Sequence, residues 1–247
     1  MSSKDRDLGE QAISKAAEVG IDSQLDEVEE LDVDVEANPL DVAQGKVKSV
    51  TIDAKGMVMN KDLRTERLVL QTDSIDIDAL KAAFGDIELE HSTDAEAKIV
   101  LKEEDLQRAF NSEYIKDKLK NQKVKIDGET VTVNAENVKF TLPGDEKISL
   151  SAEIDIAESS ETKKIGVSAK PRVEENGNKI VLEDVEYPNG ENTNPELTQT
   201  LLDSVSELLD LRNFELDEMS LQIKRLDVRQ GKMTMTAHAE VREFPDS

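Results

Sequence analysis

The sequence predicts an α+β fold that consists mostly of antiparallel sheet. Two long stretches, residues 122–187 and 219–241, alternate apolar and polar residues, which is typical of strands with one buried face. Residue pairs that favour tight turns divide the first stretch, and connections this short imply antiparallel neighbours. These pairs are Asp127-Gly128, Pro143-Gly144 and Asn176-Gly177. A few segments have helical spacing, so we expect about ten strands and three or four amphipathic helices.

The composition limits the classes of ligand. The chain has 247 residues, of which 37% are hydrophobic and only 3% aromatic. The core must therefore be aliphatic, and few aromatic rings can stack on nucleic-acid bases. The formal net charge of -24 repels nucleic acids and anionic membranes at long range. We expect no nucleic-acid partner, and one soluble domain over residues 1–247 whose first eight or so residues are flexible.

The N-terminal part predicts a helix and then strands. Residues 8–19 have an apolar helical face that ends near Gly20, and residues 31–35 alternate as a first strand that Asn38-Pro39 stops. Further strands are expected over residues 50–54, 68–70 and 95–101, with a bend or bulge at Gly56. Residues 75–84 have the spacing of a short helix. Residues 102–119 predict a longer one with a break near Asn111-Ser112.

The C-terminal part predicts a helix followed by a hairpin. Asn194 and Pro195 suit the start of a helix that runs to Leu211. Its apolar stripe contains Leu197, Leu201, Leu202, Val205, Leu208 and Leu209. The hairpin turns at Gln230-Gly231, which pairs Val228 with Met233 and Leu226 with Met235.

Catalytic and metal-binding motifs are missing from the sequence. It has no nucleophile elbow, phosphate loop, dinucleotide fingerprint or paired-histidine zinc motif, and it has no cysteine. His91 and His238 stand alone, and alternation places His238 on a surface face. An acidic run before residue 46 carries 13 acids against three bases, but its spacing does not fit a calcium loop. We therefore expect a protein that is not an enzyme and needs no cofactor or metal.

A lysine cluster interrupts the acidity. Five lysines lie across ten positions, with Asp117 as the only acid among them; they are Lys116, Lys118, Lys120, Lys123 and Lys125. A solvated helix end is one interpretation, because cations suit the negative end of a helix dipole. Contact with a phosphate-bearing head group or a membrane surface is the other.

Several stretches share a distinctive order of hydrophobic spacing and turns. They are Leu31 to Gly45, "VTIDAKGMVMNKDLRTERLVLQTDSIDID" from Val50 to Asp78, and Ala95 to Leu119 with "VLKEEDLQRAF". This order resembles the LmeA-like phospholipid-binding family, a bacterial domain of unknown function. The ending "LLDLRNFELDEMSLQIKRLDVRQGKMTMTAHAEVREFP" from Leu208 to Pro245 looks like that of cyanobacterial members. The resemblance implies a curved antiparallel sheet wrapped on amphipathic helices, similar to tubular lipid-binding (TULIP-like) domains.

What the resemblance implies for function is a carrier or sensor of phospholipid, or of another acyl-chain lipid, with transient membrane contact. We expect acyl chains to contact Leu197, Leu201, Val205, Leu208, Met233 and Met235, and a head group to contact Lys116, Lys118, Lys120 and Lys123. The segment Met1–Gly9 is polar and no apolar window is long enough to span a membrane. The expected location is therefore the cytoplasm or the periphery of a membrane. The alternative is an acidic protein-interaction module without a lipid ligand.

Overall fold

The structure is a computed structural model, which describes residues 11, 14–15, 18–19, 21–22, 25–59, 63–76, 89–126, 128–159, 161–187, 197–199, 202 and 219–241. Its strands are β1 (Glu30–Glu36), β2 (Lys46–Val47), β3 (Ser49–Met59), β4 (Leu63–Thr72), β5 (Ile75–Asp76), β6 (Thr93–Lys102), β7 (Gln122–Ile126), β8 (Glu129–Gly144), β9 (Lys147–Ile156), β10 (Glu161–Val173), β11 (Ile180–Glu186), β12 (Met219–Arg229) and β13 (Lys232–Val241). Its helices with defined bounds are α1 (Pro39–Val42), α2 (Glu103–Phe110) and α3 (Glu113–Leu119).

The strands form curved antiparallel sheets, which confirms the predicted fold class in its main feature. A six-stranded sheet has the order β1-β3-β4-β6-β13-β12, and a five-stranded sheet has the order β11-β10-β9-β8-β7. β2 and β5 pair as a small third sheet. The five-stranded sheet is a simple meander, because each of its strands pairs with the next along the chain. The six-stranded sheet instead joins distant parts of the sequence.

The main core lies on one face of the five-stranded sheet. β9 alternates without exception between buried and half-buried residues, and Ile148, Leu150 and Ile154 are each less than 5% exposed. On β8 the buried positions change phase, from Val133 and Ala135 to Val138 and beyond. A register shift between Glu136 and Lys139 causes this change, because Asn137 adopts a left-handed conformation there.

Helix α2 covers an edge of β8. Two of its polar side chains, Glu103 and Gln107, and that of Asn111 just after the helix are spaced four residues apart and face this edge. The Glu103 carboxylate accepts a hydrogen bond from the Leu142 amide at 2.6 Å, and Gln107 bonds both the Phe140 amide (2.7 Å) and the Val138 carbonyl (2.8 Å). Asn111 donates to the same carbonyl at 2.7 Å. The helix thereby satisfies backbone groups that would otherwise leave an open sheet edge.

The predicted break in the 102–119 helix is confirmed. α2 ends before Asn111, and Ser112 caps α3 by accepting a hydrogen bond from the Ile115 amide at 3.3 Å. The predicted hairpin is confirmed as well, since Val228 pairs with Met233 and Leu226 with Met235.

Several sequence predictions need correction. Residues 75–84 were predicted as a helix, but Ile75 and Asp76 form β5, and residues 77–84 lie outside the described residues. The turn predicted at Pro143-Gly144 lies two residues later, at Asp145 and Glu146, because β8 continues to Gly144. Residues 21 and 22 are helical, although the first helix was expected to end near Gly20. Gly56 has a positive φ of 60°, but β3 continues through it.

Candidate functional site

The six-stranded sheet has one apolar face and one polar face. Its register aligns alternate residues across all six strands. The apolar row follows Val33, Ile52, Leu70, Ala97, Ala237 and Ile223. The residues between them, such as Asp53 on β3 and Lys98 on β6, lie on the opposite face, which is mostly polar but includes Val69 and Val100. A sheet of this kind has to be covered by apolar groups on one face only, because the other face is compatible with water.

Burial differs along this apolar face. At the β1 edge Val33 is 2% exposed, and at the other end of the sheet Ile223 is 2% exposed. Between them, alanines such as Ala237 are buried, but several larger apolar side chains on β4, β6, β13 and β12 are only half-buried. We call this set the apolar patch, and it consists of Leu68, Leu70, Ile99, Leu101, Met235 and Leu226, of which Leu226 also packs against the main core. Adjacent strands are about 4.8 Å apart, so the patch is about 14 Å wide from β4 to β12.

A charged cleft of about 420 Å³ lies at one end of the same face. On this face of β4, Leu70 and Leu68 are followed by Glu66 and Arg64. On β3, Ile52 and Ala54 are followed by Gly56 and Val58. The ionisable residues that line the cleft are Glu27, Glu29, Arg64, Glu104, Asp105 and Arg108. The apolar face therefore ends in a cluster of charges.

Arg64 holds this cluster together. Its guanidinium donates to Glu29 at 2.7 Å, to Asp105 Oδ2 at 2.9 Å and to Glu66 at 3.1 Å. Glu29, Glu66 and Asp105 raise the pKa of Arg64, the Glu29 hydrogen bond contributing most. Lys102 bonds Glu66 at 2.8 Å, and it lowers the pKa of Glu66 together with Arg64. Because Arg64 is on β4 and Asp105 on α2, the network fastens the helix to the sheet.

A sequence model of the LmeA-like phospholipid-binding family matches residues 6–238, nearly the whole chain. The chain belongs to this family. No curated protein and no solved structure matches it.

In this LmeA-like protein, the residues predicted to contact acyl chains do not all lie in the same place. Met235 lies in the apolar patch, between Ile99 and Leu226 of the neighbouring strands. Met233 lies on the same face and packs against the main core. Leu197 is 2% exposed in that core. The remaining three, Leu201, Val205 and Leu208, lie outside the described residues, so their contact with lipid stays a prediction.

The lysines predicted to contact a head group lie on α3 and on the edge strand β7. Lys116 is half-buried on α3, and Lys120 follows that helix and pairs with Asp117 at 2.9 Å. Lys123 is exposed on β7, whereas the side chain of Lys118 lies outside the described residues. Their role as head-group contacts in an LmeA-like protein stays a prediction.

Sequence reasoning missed the charged cleft. Arg64 and Asp105 are 41 positions apart, and each stands in a segment rich in other charges. The one available signal was Asp105 itself, an acid on the side of α2 that also carries the apolar residue Ala109.

The structure also locates His238 on the polar face. Its Nε2 atom lies 3.2 Å from the Asp94 carboxylate, beside a shallow cleft of about 360 Å³. The described residues contain no group of three or more acidic or histidine side chains placed to hold a metal ion, and no described helix is long and apolar enough to cross a membrane.

Proposed function

We propose that the protein binds a phospholipid without catalysing a reaction, and holds its acyl chains against the apolar patch as a carrier or sensor. The observation that carries the proposal is that the apolar patch is only half-buried, although Val33 on β1 and Ile223 on β12, on the two edge strands of the same sheet, are buried. Membership of the LmeA-like phospholipid-binding family supports the same ligand class. Each methylene withdrawn from water contributes about 0.8 kcal/mol, so an acyl chain that covers the patch gains affinity without specific contacts.

The shape of the sheet supports a tubular lipid-binding arrangement. A curved sheet with one apolar face can enclose a chain-like ligand, and Met235 adds a flexible thioether that adapts to chains of different shape. Transient contact with a membrane surface would load and unload the ligand. The polar face of the sheet would meanwhile keep the loaded protein in water, in the cytoplasm or at the periphery of a membrane.

The test compares two neighbouring positions of β4 that lie on opposite faces. Leu70→Glu places a charge in the apolar patch, whereas Gln71→Glu places the same charge on the exposed polar face. Each purified variant is incubated with phosphatidylcholine vesicles and re-isolated, and its bound lipid is extracted and measured by mass spectrometry. We expect Gln71→Glu to bind lipid like the wild type and Leu70→Glu to bind at least tenfold less.

A further variant separates loss of binding from loss of structure. Leu70→Trp keeps the patch apolar but fills part of it, so it should reduce lipid uptake while circular dichroism shows a folded protein. If the wild type takes up no phospholipid, or if Leu70→Glu and Leu70→Trp both bind like the wild type, the proposal is wrong.

The second candidate function is an acidic protein-interaction module. The polar side of β1 favours it, since Asp32 is exposed on the edge strand beside Asp34 and two further acids. However, Glu30 pairs with Lys55 and Glu36 with Lys48, which reduces the charge available to a partner. Pull-downs at low and high salt distinguish the two functions, because a partner attracted by charge is lost as salt rises.

A further inference from the structure

Asp105 lines the charged cleft, and one oxygen of its buried carboxylate lacks a hydrogen-bond partner among the described residues. Asp105 is 1% exposed, and its Oδ2 atom accepts a hydrogen bond from Arg64. Its Oδ1 atom accepts none from the described residues. The Nη1 atom of Arg108 is 3.8 Å from Oδ1, beyond hydrogen-bond distance. An unsatisfied buried acceptor is costly, so this oxygen favours a ligand that donates a hydrogen bond into the cleft.

The charges around Asp105 restrict what that donor can be. Glu27, Glu29 and Glu104 line the cleft together with Asp105, against two arginines. Four acids and two bases favour a cationic donor over a neutral or anionic one. Arg108 differs from Arg64 because its side chain is half-exposed and, among the described residues, makes only the long contact to Asp105. A phosphate that arrives beside the cation can therefore accept hydrogen bonds from Arg108.

We propose that the charged cleft binds a primary ammonium group joined to a phosphate, with the ammonium donating to Asp105 Oδ1 and the phosphate accepting from Arg108. This chemistry occurs in the head group of an ethanolamine phospholipid and in free phosphoethanolamine. A choline head group has the same phosphate and the same charge, but its quaternary nitrogen has no N–H to donate. The unpaired oxygen of Asp105 thus distinguishes the two head groups.

The position of the cleft favours a phospholipid, and not free phosphoethanolamine, as the source of this group. This argument rests on the proposed function. Arg64 and Leu70 lie six residues apart on one strand and on one face of the sheet. At about 3.3 Å per residue, the charged cleft and the apolar patch are about 20 Å apart at these two positions. An amphiphile can therefore place its head group in the cleft while its chains lie along the patch.

The overall charge supports a head group without net charge. With a formal net charge of -24, the protein repels anionic lipids before they reach the cleft. An ethanolamine phospholipid has one positive and one negative charge, so the negative charge of the protein does not repel it at long range.

The experiment measures head-group selection directly. The protein is incubated with vesicles that contain equal amounts of ethanolamine and choline phospholipids with identical acyl chains, and the lipid that stays bound after re-isolation is measured by mass spectrometry. One charge-assisted hydrogen bond predicts an enrichment of the ethanolamine lipid of about tenfold. Asp105→Asn should remove the enrichment, and Arg108→Gln should lower binding of both lipids while the ethanolamine preference persists.

Two further variants keep the test decisive. Glu104→Gln removes a charge from the cleft at a side chain that is 70% exposed, so it should fold; because the two head groups have the same charge, it should lower the uptake of both lipids and leave the enrichment unchanged. Arg229→Gln removes an arginine that is 71% exposed on the polar face and should leave the enrichment unchanged. Equal recovery of the two lipids by the wild type would overturn the inference but not the proposed function. A preference for the choline lipid would overturn it too.

The source of the group is tested separately with free phosphoethanolamine in isothermal titration calorimetry. Binding that Asp105→Asn abolishes, without uptake of any phospholipid, would support the cleft chemistry and refute the proposed lipid function. If neither the free compound nor any phospholipid binds, both the inference and the proposed function are wrong.

Discussion

Replacement of Gly177 by alanine tests how the two large sheets are joined. Gly177 lies in the turn between β10 and β11, and its carbonyl accepts a hydrogen bond from the Ile223 amide of β12 at 2.7 Å. It has a φ of 75°, which disfavours any residue with a Cβ. An added Cβ would also lie 2.8 Å from the Ile223 carbonyl oxygen, closer than a carbon atom can approach a backbone oxygen without displacement.

Two contributions add up in the expected loss of stability. The left-handed conformation costs alanine about 1–2 kcal/mol. Movement of the turn away from Ile223 breaks the hydrogen bond and leaves the amide of a residue that is 2% exposed without a partner, which costs about 1–3 kcal/mol. We therefore expect Gly177→Ala to lower the free energy of unfolding by about 2–5 kcal/mol.

The matched control is Gly231→Ala in the turn between β12 and β13. Gly231 has a similar φ of 71°, but a Cβ added there meets nothing within 4 Å. It should therefore show only the conformational cost of about 1–2 kcal/mol. The measurement is urea unfolding followed by far-UV circular dichroism, because the chain has no tryptophan to report by fluorescence.

The comparison between the two glycines decides the interpretation. If Gly177→Ala is no more destabilising than Gly231→Ala, then contact between this turn and β12 does not hold the sheets together. A change in the urea dependence of Gly177→Ala alone would show instead that the two sheets have begun to unfold separately.

Three other predictions concern the charged network and helix α2. Arg64→Met should lower the free energy of unfolding by about 3–5 kcal/mol, because it leaves Asp105 buried without its ion-pair partner, and Arg64→Met with Asp105→Leu should recover part of that loss in urea unfolding. Lys102, and to a smaller extent Arg64, lowers the pKa of Glu66. The stability that this contact provides is therefore present above about pH 4.5 and is lost as the pH falls through the lowered pKa. Glu66→Gln should make the acid branch of a stability–pH profile less steep. Gln107→Leu should cost about 2–4 kcal/mol in the same unfolding assay, because an amide and a carbonyl of β8 both lose a partner, whereas an unchanged midpoint would mean that water replaces the side chain.

The local elements of the fold were predictable from the sequence where a turn sets the register. Gln230-Gly231 fixes the β12–β13 hairpin, so the pairing of Leu226 with Met235 followed from the sequence. The turn after β8 was misplaced because Asp145 and Glu146 both adopt positive φ, of 54° and 60°. Residues with a Cβ rarely adopt this conformation, and the adjacent glycine was the better candidate by propensity.

Pairing between distant strands was not predictable from the same patterns. Alternation shows that β4, β6 and β13 are strands, but it contains no information on which strand lies beside which. β6 pairs with β13 over residues 93–102 and 232–241, and that partnership depends on packing across the whole chain. The same limit explains the site: alternation placed Met235 on an apolar face, whereas the contact between Arg64 and Asp105 exists only after the fold is complete.

The difference in burial between the two sheets explains how a stable protein can keep part of an apolar face half-buried. On the five-stranded sheet every second residue of β9 is buried, so this face gains most of the free energy that burial provides. The six-stranded sheet buries its apolar face at Val33 on one edge strand and at Ile223 on the other, and between them Ala54 and Ala237 are each 1% exposed, so burial on this face does not depend on the patch alone. A ligand that covers Leu68, Leu70 and Ile99 therefore adds stability by mass action and is not required for folding. The proposed carrier or sensor function would require such reversible loading and release.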